Sequence, residues 1–168
     1  VVASVAASLL LGCDQKSIGK RETVSEALVA KSLSNMVPVK GGEFLMGDFG
    51  PLVGEKLPFS INQDDKVLHK VVLSDFSISK FKVTNDDYNK YLQITGIKKP
   101  TINILVKEYP SLQKGDYSVG VTWQQAKDYC QCLGNESGKK IDLPTEAQWE
   151  YAARSRGQYI PFATNNGE

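Results

Sequence analysis

The sequence predicts a mixed α and β fold in which short strands come first and capped helices follow. Three observations lead there. Residues 67 to 83 alternate apolar and polar side chains, the period of a half-buried strand. Thr84, Thr122 and Thr145 each head a helical pattern, where a threonine hydroxyl accepts from the free N–H groups of the first turn. Hydrophobic residues make up 41% of 168 positions and charged residues 23%, ordinary values for one domain with a real core.

The first segment, Val1 to Leu11, is apolar and carries no charge before Asp14. It is too short to span a bilayer, which takes ~20 residues. It suits the apolar region of a secretory signal. Without a start methionine or a basic leader it reads as the remnant of one. The run ends in Leu10-Leu11-Gly12-Cys13, which resembles a bacterial lipoprotein lipobox. The resemblance implies lipidation of Cys13, and Asp14 resembles a signal for retention at the inner membrane. The competing reading is a buried apolar element with a chance cysteine. A diacyl anchor holds stably, because each buried methylene contributes ~0.8 kcal/mol. The expected divisions are therefore 1–13, signal remnant; 14–35, a polar tether; and 36–168, the domain. A short helix over about 23–33 is expected within the tether, with Val24, Ala27 and Leu28 on one side.

Met36 to Gly47 reads as two short strands joined by a Gly41-Gly42 turn. A polar loop over 48–66 follows, punctuated by Pro51, Gly54 and Pro58, and reads as a surface excursion. In 67–83, Val67, His69, Val71 and Leu73 share a face; after Ser74-Asp75, Phe76 and Ile78 continue the pattern. This predicts a hairpin or two successive strands. Thr84 then caps a helix carrying Tyr88, Tyr91, Leu92 and Thr95, which Gly96 ends. Residues 97–118, with Pro100, Pro110 and Gly115, form a connection. Thr122 and Gln125 form a capping box. Trp123, Ala126, Cys130 and Leu133 line one face of the third helix, which Gly134 is expected to stop. The last element is the best specified. Pro144 brings the chain in extended, Thr145 and Gln148 form a second box, Glu146 lies in the first turn and Arg154 in the last.

The ordered motifs M-V-x-V-x-G-G-x-F-x-M-G (36–47), H-x-V-x-L-x-x-F-x-I-x-K-x-x-V-T-N-x-x-Y-x-x-Y (69–91), V-x-V-T-W-x-x-A-x-x-Y-C (119–130) and L-P-T-E-A-x-W-E-Y-A-A-R (143–154) together resemble the formylglycine-generating enzyme family, or sulfatase-modifying-factor domain. The match covers 36 to about 161. It implies an α+β fold with few regular elements, related to C-type lectin folds and incomplete at its C-terminus. In the family's oxidases a cysteine pair near the domain's C-terminal end binds copper, and calcium ligands also come largely from the later half. Motifs of the G-N-V-x-E-W and R-G-G-S-W kind do not occur in this sequence. The resemblance thus implies no catalytic, cofactor-binding or metal-binding residue here, with copper and calcium ligands expected beyond Glu168. It also implies a part-domain that is marginally stable or aggregates alone.

Several residues carry competing readings. The single histidine, His69, excludes sites built from several imidazoles of this chain. It reads as a structural residue at a sheet edge. Three cysteines are too few for a disulfide scaffold. Cys132 departs from the family's usual aromatic residue, and Asp142 from its usual arginine. Cys130 matches a position that is a structural disulfide cysteine in some members. Cys130 and Cys132 lie two apart on a helix and point to different faces, so one buried and one partly exposed thiol is expected, not a metal pair. Glu146 and Glu150 read as solvated helix charges. Trp123, Trp149, Tyr88 and Tyr151 read as core.

A net charge of +1 gives no sign of a nucleic-acid partner. The function expected is a periplasmic protein, lipid-anchored through Cys13 at the inner membrane. Its domain is non-catalytic and protein-binding, resembling immunity proteins against type VI secretion lipase toxins, with loops 48–66 and 97–118 as the contact surface. The alternative is a truncated formylglycine-generating oxidase, copper-dependent, whose partner is a sulfatase cysteine. A family enzyme acting on small molecules is disfavoured by the lone histidine.

Overall fold

A computed structural model describes residues 12–64, 67–98 and 108–164, and for 12–18 the backbone alone. Two compact units appear. One combines Val1–Asn35, as far as it is described, with Phe81–Asp142; the other combines Met36–Lys80 with Leu143–Glu168, again as far as described.

The first unit is helical: α1 (Gly12–Ser34), α2 (Asn85–Thr95) and α3 (Trp123–Ser137), with a 3-10 turn at Pro110–Gln113. Thr84 accepts the Asp87 N–H at the start of α2, and Gly96 closes it with φ 71°. At α3, Thr122 and Gln125 satisfy each other's backbone N–H as a full capping box. The core is Leu28, Tyr88, Tyr91, Leu92, Ile94, Tyr129 and Leu133. Three tyrosine rings meet there. Tyr91 lies 5.2 Å from Tyr88 and edge-on to Tyr129 at 5.4 Å, a favoured aromatic geometry. Burial pushes the Tyr129 phenol far above its ordinary range, so it stays neutral.

Two expectations change here. Residues 14–35 are not an open tether. The helix runs from Gly12 to Ser34, and Leu28 is 1% exposed against α2 and α3. Polar composition hid this because a single apolar ridge is enough to dock a helix. Gly134 does not stop α3 either. The helix continues to Ser137 and closes at Gly138, φ 65°. Gly134 is needed instead for close approach, since a Cβ there would stand 3.1 Å from the Lys139 carbonyl oxygen.

The unit is tied by charge as well. Asp87, buried, accepts from both Lys31 Nζ contacts at 2.8 Å and from the Thr84 hydroxyl at 2.9 Å. Burial raises this carboxyl, but the bonds from Lys31 and Thr84 and the charge of Lys90 outweigh it and hold it below the ordinary 3.8. A carboxyl lowered on folding contributes stability above its unfolded value, and that contribution is lost as pH falls through the folded one. Stability should therefore decline below about pH 4. At pH 7, Asp87→Asn should cost about 1–2 kcal/mol and flatten the acid limb of a melting-temperature profile. An unchanged acid limb would contradict this assignment.

The second unit holds β1 (Met36–Val39), β2 (Gly42–Met46), β3 (His69–Leu73), β4 (Phe76–Ser79), a 3-10 turn at Gly50–Leu52 and α4 (Glu146–Ala153). β1 and β2 do not pair with each other across Gly41-Gly42. β1 pairs antiparallel with β4 and β2 with β3, in one register that runs from Met36 opposite Ser79 to Met46 opposite His69. The four strands form one long ribbon with a break. At the break Asp75 replaces the ladder, accepting from Gly41 N–H at 2.9 Å and Lys40 Nζ at 2.7 Å. The glycines serve close packing. A Cβ on Gly41 would stand 2.2 Å from the Leu73 carbonyl oxygen, and one on Gly42 would stand 2.8 Å from the Tyr151 hydroxyl. Tyr151, on α4, is 2% exposed and packs on Phe44 at 5.1 Å.

Candidate functional site: a loop held by Asp48 and Arg154

The surface feature with most chemical content lies in the second unit, on the loop after β2. Its foundation is Arg154, the residue that ends α4. Thr145 and Gln148 start that helix with a full capping box, which fixes the phase of everything after it. Tyr151 then faces the ribbon, and Arg154 follows three residues on, along the same side.

The Arg154 side chain is buried and fully engaged. Nε donates to the Gln158 carbonyl and Nη1 to the Leu45 carbonyl, each at 2.9 Å. Nη1 also donates to Glu150, and Nη2 donates to Gly157 at 3.3 Å. The guanidinium carbon lies 4.3 Å from the centre of the Phe49 ring, with Tyr159 at 5.5 Å and Phe44 at 5.7 Å. Such stacking suits the weakly hydrated guanidinium. Glu150 also accepts from Gly47 N–H at 3.1 Å. Glu150 is therefore not the solvated charge expected; only Glu146 is exposed.

Phe49 carries this order into the loop. It is buried, with Phe59 edge-on at 5.3 Å and Tyr159 stacked at 5.4 Å. Beside it the Asp48 carboxylate accepts N–H groups from Gly50 at 2.8 Å, Phe59 at 3.2 Å and Ser60 at 2.9 Å. One carboxylate thus staples the two ends of a ten-residue excursion, which is less of a free surface loop than its composition suggests. The staple leaves Leu52, Leu57, Phe59 and Ile61 all more than half exposed. Four large apolar side chains are thus exposed along one anchored loop.

Downstream, Ser155, Arg156 and Gly157 all have positive φ, and Gly157 faces Phe44, where a Cβ would stand 2.4 Å from the phenylalanine Cβ. Gly157→Ala should therefore lower stability by about 2 kcal/mol. Urea denaturation followed by fluorescence will read this; a change within about 0.5 kcal/mol would mean that the turn relaxes freely.

The remaining residues singled out in the sequence fall elsewhere. His69 is exposed at the start of β3, its Nδ1 3.2 Å from the Val67 carbonyl, in keeping with a role at the strand's end. Tyr88 and Tyr151 are core, but Trp123 and Trp149 are 67% and 61% exposed. Helical phase explains the tryptophans. Trp123 opens α3, nearly two turns before the buried Tyr129, and Trp149 lies on the side of α4 away from Tyr151. Asp142 pairs with Lys127 at 2.6 Å, and Lys127 lies 5.9 Å over Trp123, so the departure at Asp142 has its own partner. The lipobox-like run, through Leu11, lies outside the described residues, as does the Cys13 side chain.

Cys130 and Cys132 are both free and both half-buried against the tyrosine core, rather than one buried and one partly exposed. Burial raises both thiols above their ordinary range, and Asp142 and Glu136 push them the same way. Raised thiols two apart on an intact helix do not fit a copper site, which takes converging thiolates. Among the described residues no group of three His, Cys, Asp or Glu side chains is placed to hold a metal ion, calcium included. No described helix is long and apolar enough to cross a membrane.

Arg154 as a hub was missed from the sequence. The signal available was Glu150 four residues before it, an i, i+4 pair on one helical face.

Comparison with known proteins agrees with this architecture. Residues 20–166 match the model of the sulfatase-modifying factor enzyme 1-like domain, a span that takes in the packed half of α1. The serine/threonine-protein kinase pkn1 of Chlamydia pneumoniae is 31% identical over 135 residues, covering 72% of this chain and 19% of the kinase. That of Chlamydia caviae is 28% identical over 134 residues, covering 71% and 19%. The formylglycine-generating enzyme of Mus musculus is 25% identical over 176 aligned positions, covering 80% of this chain and 44% of the enzyme. The chain thus spans about a fifth of the kinases it matches and less than half of the mouse enzyme. With the family model matched over nearly its whole length, the chain belongs to the sulfatase-modifying factor enzyme 1-like domain family.

Proposed function

We propose that this domain is a protein-binding member of its family, without formylglycine-generating chemistry of its own, and that its contact surface is the loop pinned by Asp48. The observation that carries the reading is the set Leu52, Leu57, Phe59 and Ile61, held on the surface by a carboxylate staple and a buried arginine. Rigid apolar anchors are what a protein interface uses, since little ordering entropy is lost on binding. The kinase relatives favour the same view, because a domain filling a fifth of a larger protein behaves as a module. The finer reading adds a C-type-lectin-related arrangement, a lipid anchor at Cys13 in the periplasm, and a lipase toxin of a type VI secretion system as the partner. It is supported by the lipobox-like end and the apolar loop.

The partner is tested by calorimetric titration with a purified type VI secretion lipase toxin. Phe59→Asp and Leu57→Asp should each weaken binding at least about tenfold with the circular dichroism spectrum unchanged. Equal binding by the variants would sink the reading. For the anchor, Cys13→Ser should move the protein, expressed with its own leader, from the membrane to the soluble fraction.

The mouse relative favours one alternative, a formylglycine-generating oxidase whose copper ligands lie outside this chain. Conversion of a C-x-P-x-R peptide by the full-length protein with copper would establish that activity and remove the first reading.

A further inference from the structure

The first unit carries a second surface with a different chemistry. An open groove runs between α1 and α3. Its floor is Val29, Ala30 and Leu33 of α1, and its rim is Glu22 and Glu26 of α1 with Glu136 of α3. We propose that this groove docks a basic amphipathic helix of another protein.

The argument starts from α1 itself. A helix packed on one core needs one apolar ridge, and Leu28, 1% exposed, supplies it together with the half-buried Val24. Val29, which also packs partly against the core, and Leu33, four residues on, present apolar surface to the groove. Apolar residues at this spacing are what an incoming helix lays its own apolar side against. The groove's two walls are fixed to each other by the Ser25 hydroxyl, which donates to Glu136 across them. The site is therefore in shape before a partner arrives.

Charge selects the partner. Glu22 and Glu26 lie one turn apart and form no ion pair among the described residues. No lysine or arginine is among the residues that line the groove. An acidic rim around an aliphatic floor is complementary to leucines flanked by lysines or arginines, and it repels an anionic lipid surface. This site and the loop after β2 belong to different units and have opposite requirements, so each inference stands or falls alone.

The test uses fluorescence anisotropy of a labelled helical peptide of about 14 residues, with leucine on one face and lysine on the other. Its control carries glutamate in place of lysine. The lysine peptide should bind and the glutamate peptide should not. The double variant Glu22→Lys/Glu26→Lys should weaken binding at least about tenfold, and Leu33→Asp should do the same. Glu55→Lys/Asp64→Lys, an equal charge change on the other unit, should leave the affinity within about twofold. Equal weakening by both double variants would show a bulk-charge effect and overturn the proposal. So would binding of the glutamate peptide, or preferential binding of phosphatidylglycerol vesicles through the same residues.

Discussion

Arg154→Met should destabilise the second unit by about 3–5 kcal/mol, the cost of removing one partner from a buried charged network. The mechanism can be followed atom by atom. Methionine keeps an unbranched apolar stem out to about the position of Nε, so the loss falls on the guanidinium. The carbonyls of Leu45, Gln158 and Gly157 lose their donor, and Glu150 keeps only the Gly47 N–H. Each of these part-buried acceptors left unpaired costs at most about 1–3 kcal/mol. Arg154→Lys should rescue little, because an ammonium is a point charge. It cannot fork to three carbonyls, nor lie flat 4.3 Å from the Phe49 ring. Chemical denaturation of the three proteins is the measurement. A lysine variant within about 1 kcal/mol of the parent would show that charge alone matters here. Glu150→Gln should fall between, at about 1–2 kcal/mol, because an amide oxygen still accepts from both Gly47 and Arg154.

Leu28→Ala is the second large effect, expected at about 3 kcal/mol within the range for buried leucines. Leu28 is 1% exposed among Tyr88, Tyr91, Tyr129 and Leu133. Three aromatic rings pack stiffly and cannot close the gap that its methyls would leave. The neighbouring Ala27→Ser, on the exposed side of the same helix, should change stability by no more than about 0.5 kcal/mol. The contrast separates a docked helix from a spacer. If both substitutions cost the same small amount, residues 20–35 do not hold the unit together.

What the sequence disclosed, and what it withheld, follows from the range of each interaction. The caps at Thr84, Thr122 and Thr145 were legible because donor and acceptor lie three residues apart and threonine chemistry admits few alternatives. The closing glycine of α2 was legible for the same reason, since only glycine enters the left-handed region freely. The strands were found but their partners were not. Gly41-Gly42 looks like a hairpin turn locally, and its real cause is the Leu73 carbonyl, thirty-two residues away in sequence. The Arg154 network depends on Leu45 and Phe49, more than a hundred residues upstream. No local pattern reports such contacts. Trp123 and Trp149 misled for a different reason. Indole is large and apolar, but one position on a short helix decides whether it meets the core, and a helix has more outer positions than inner ones.

The family match adds context to this division. It identified the scaffold through residues that now prove to be caps, core aromatics and the Arg154 hub. The pinned loop and the acidic groove carry residues outside that shared pattern, and both proposals rest on them.

One consequence follows from the unbroken register of the ribbon. Met46 and His69 face each other at its tip, so the whole loop between them is an insertion at the end of a hairpin. Lengthening such an insertion costs only about 0.6 kcal/mol per doubling in closure entropy, and it shifts no strand pairing. The tip therefore tolerates changes of sequence and length while the frame beneath stays the same. The scaffold behaves as a handle with an interchangeable blade. Grafting a foreign segment between Asn62 and Gln63, outside the Asp48 staple, should leave the fold intact.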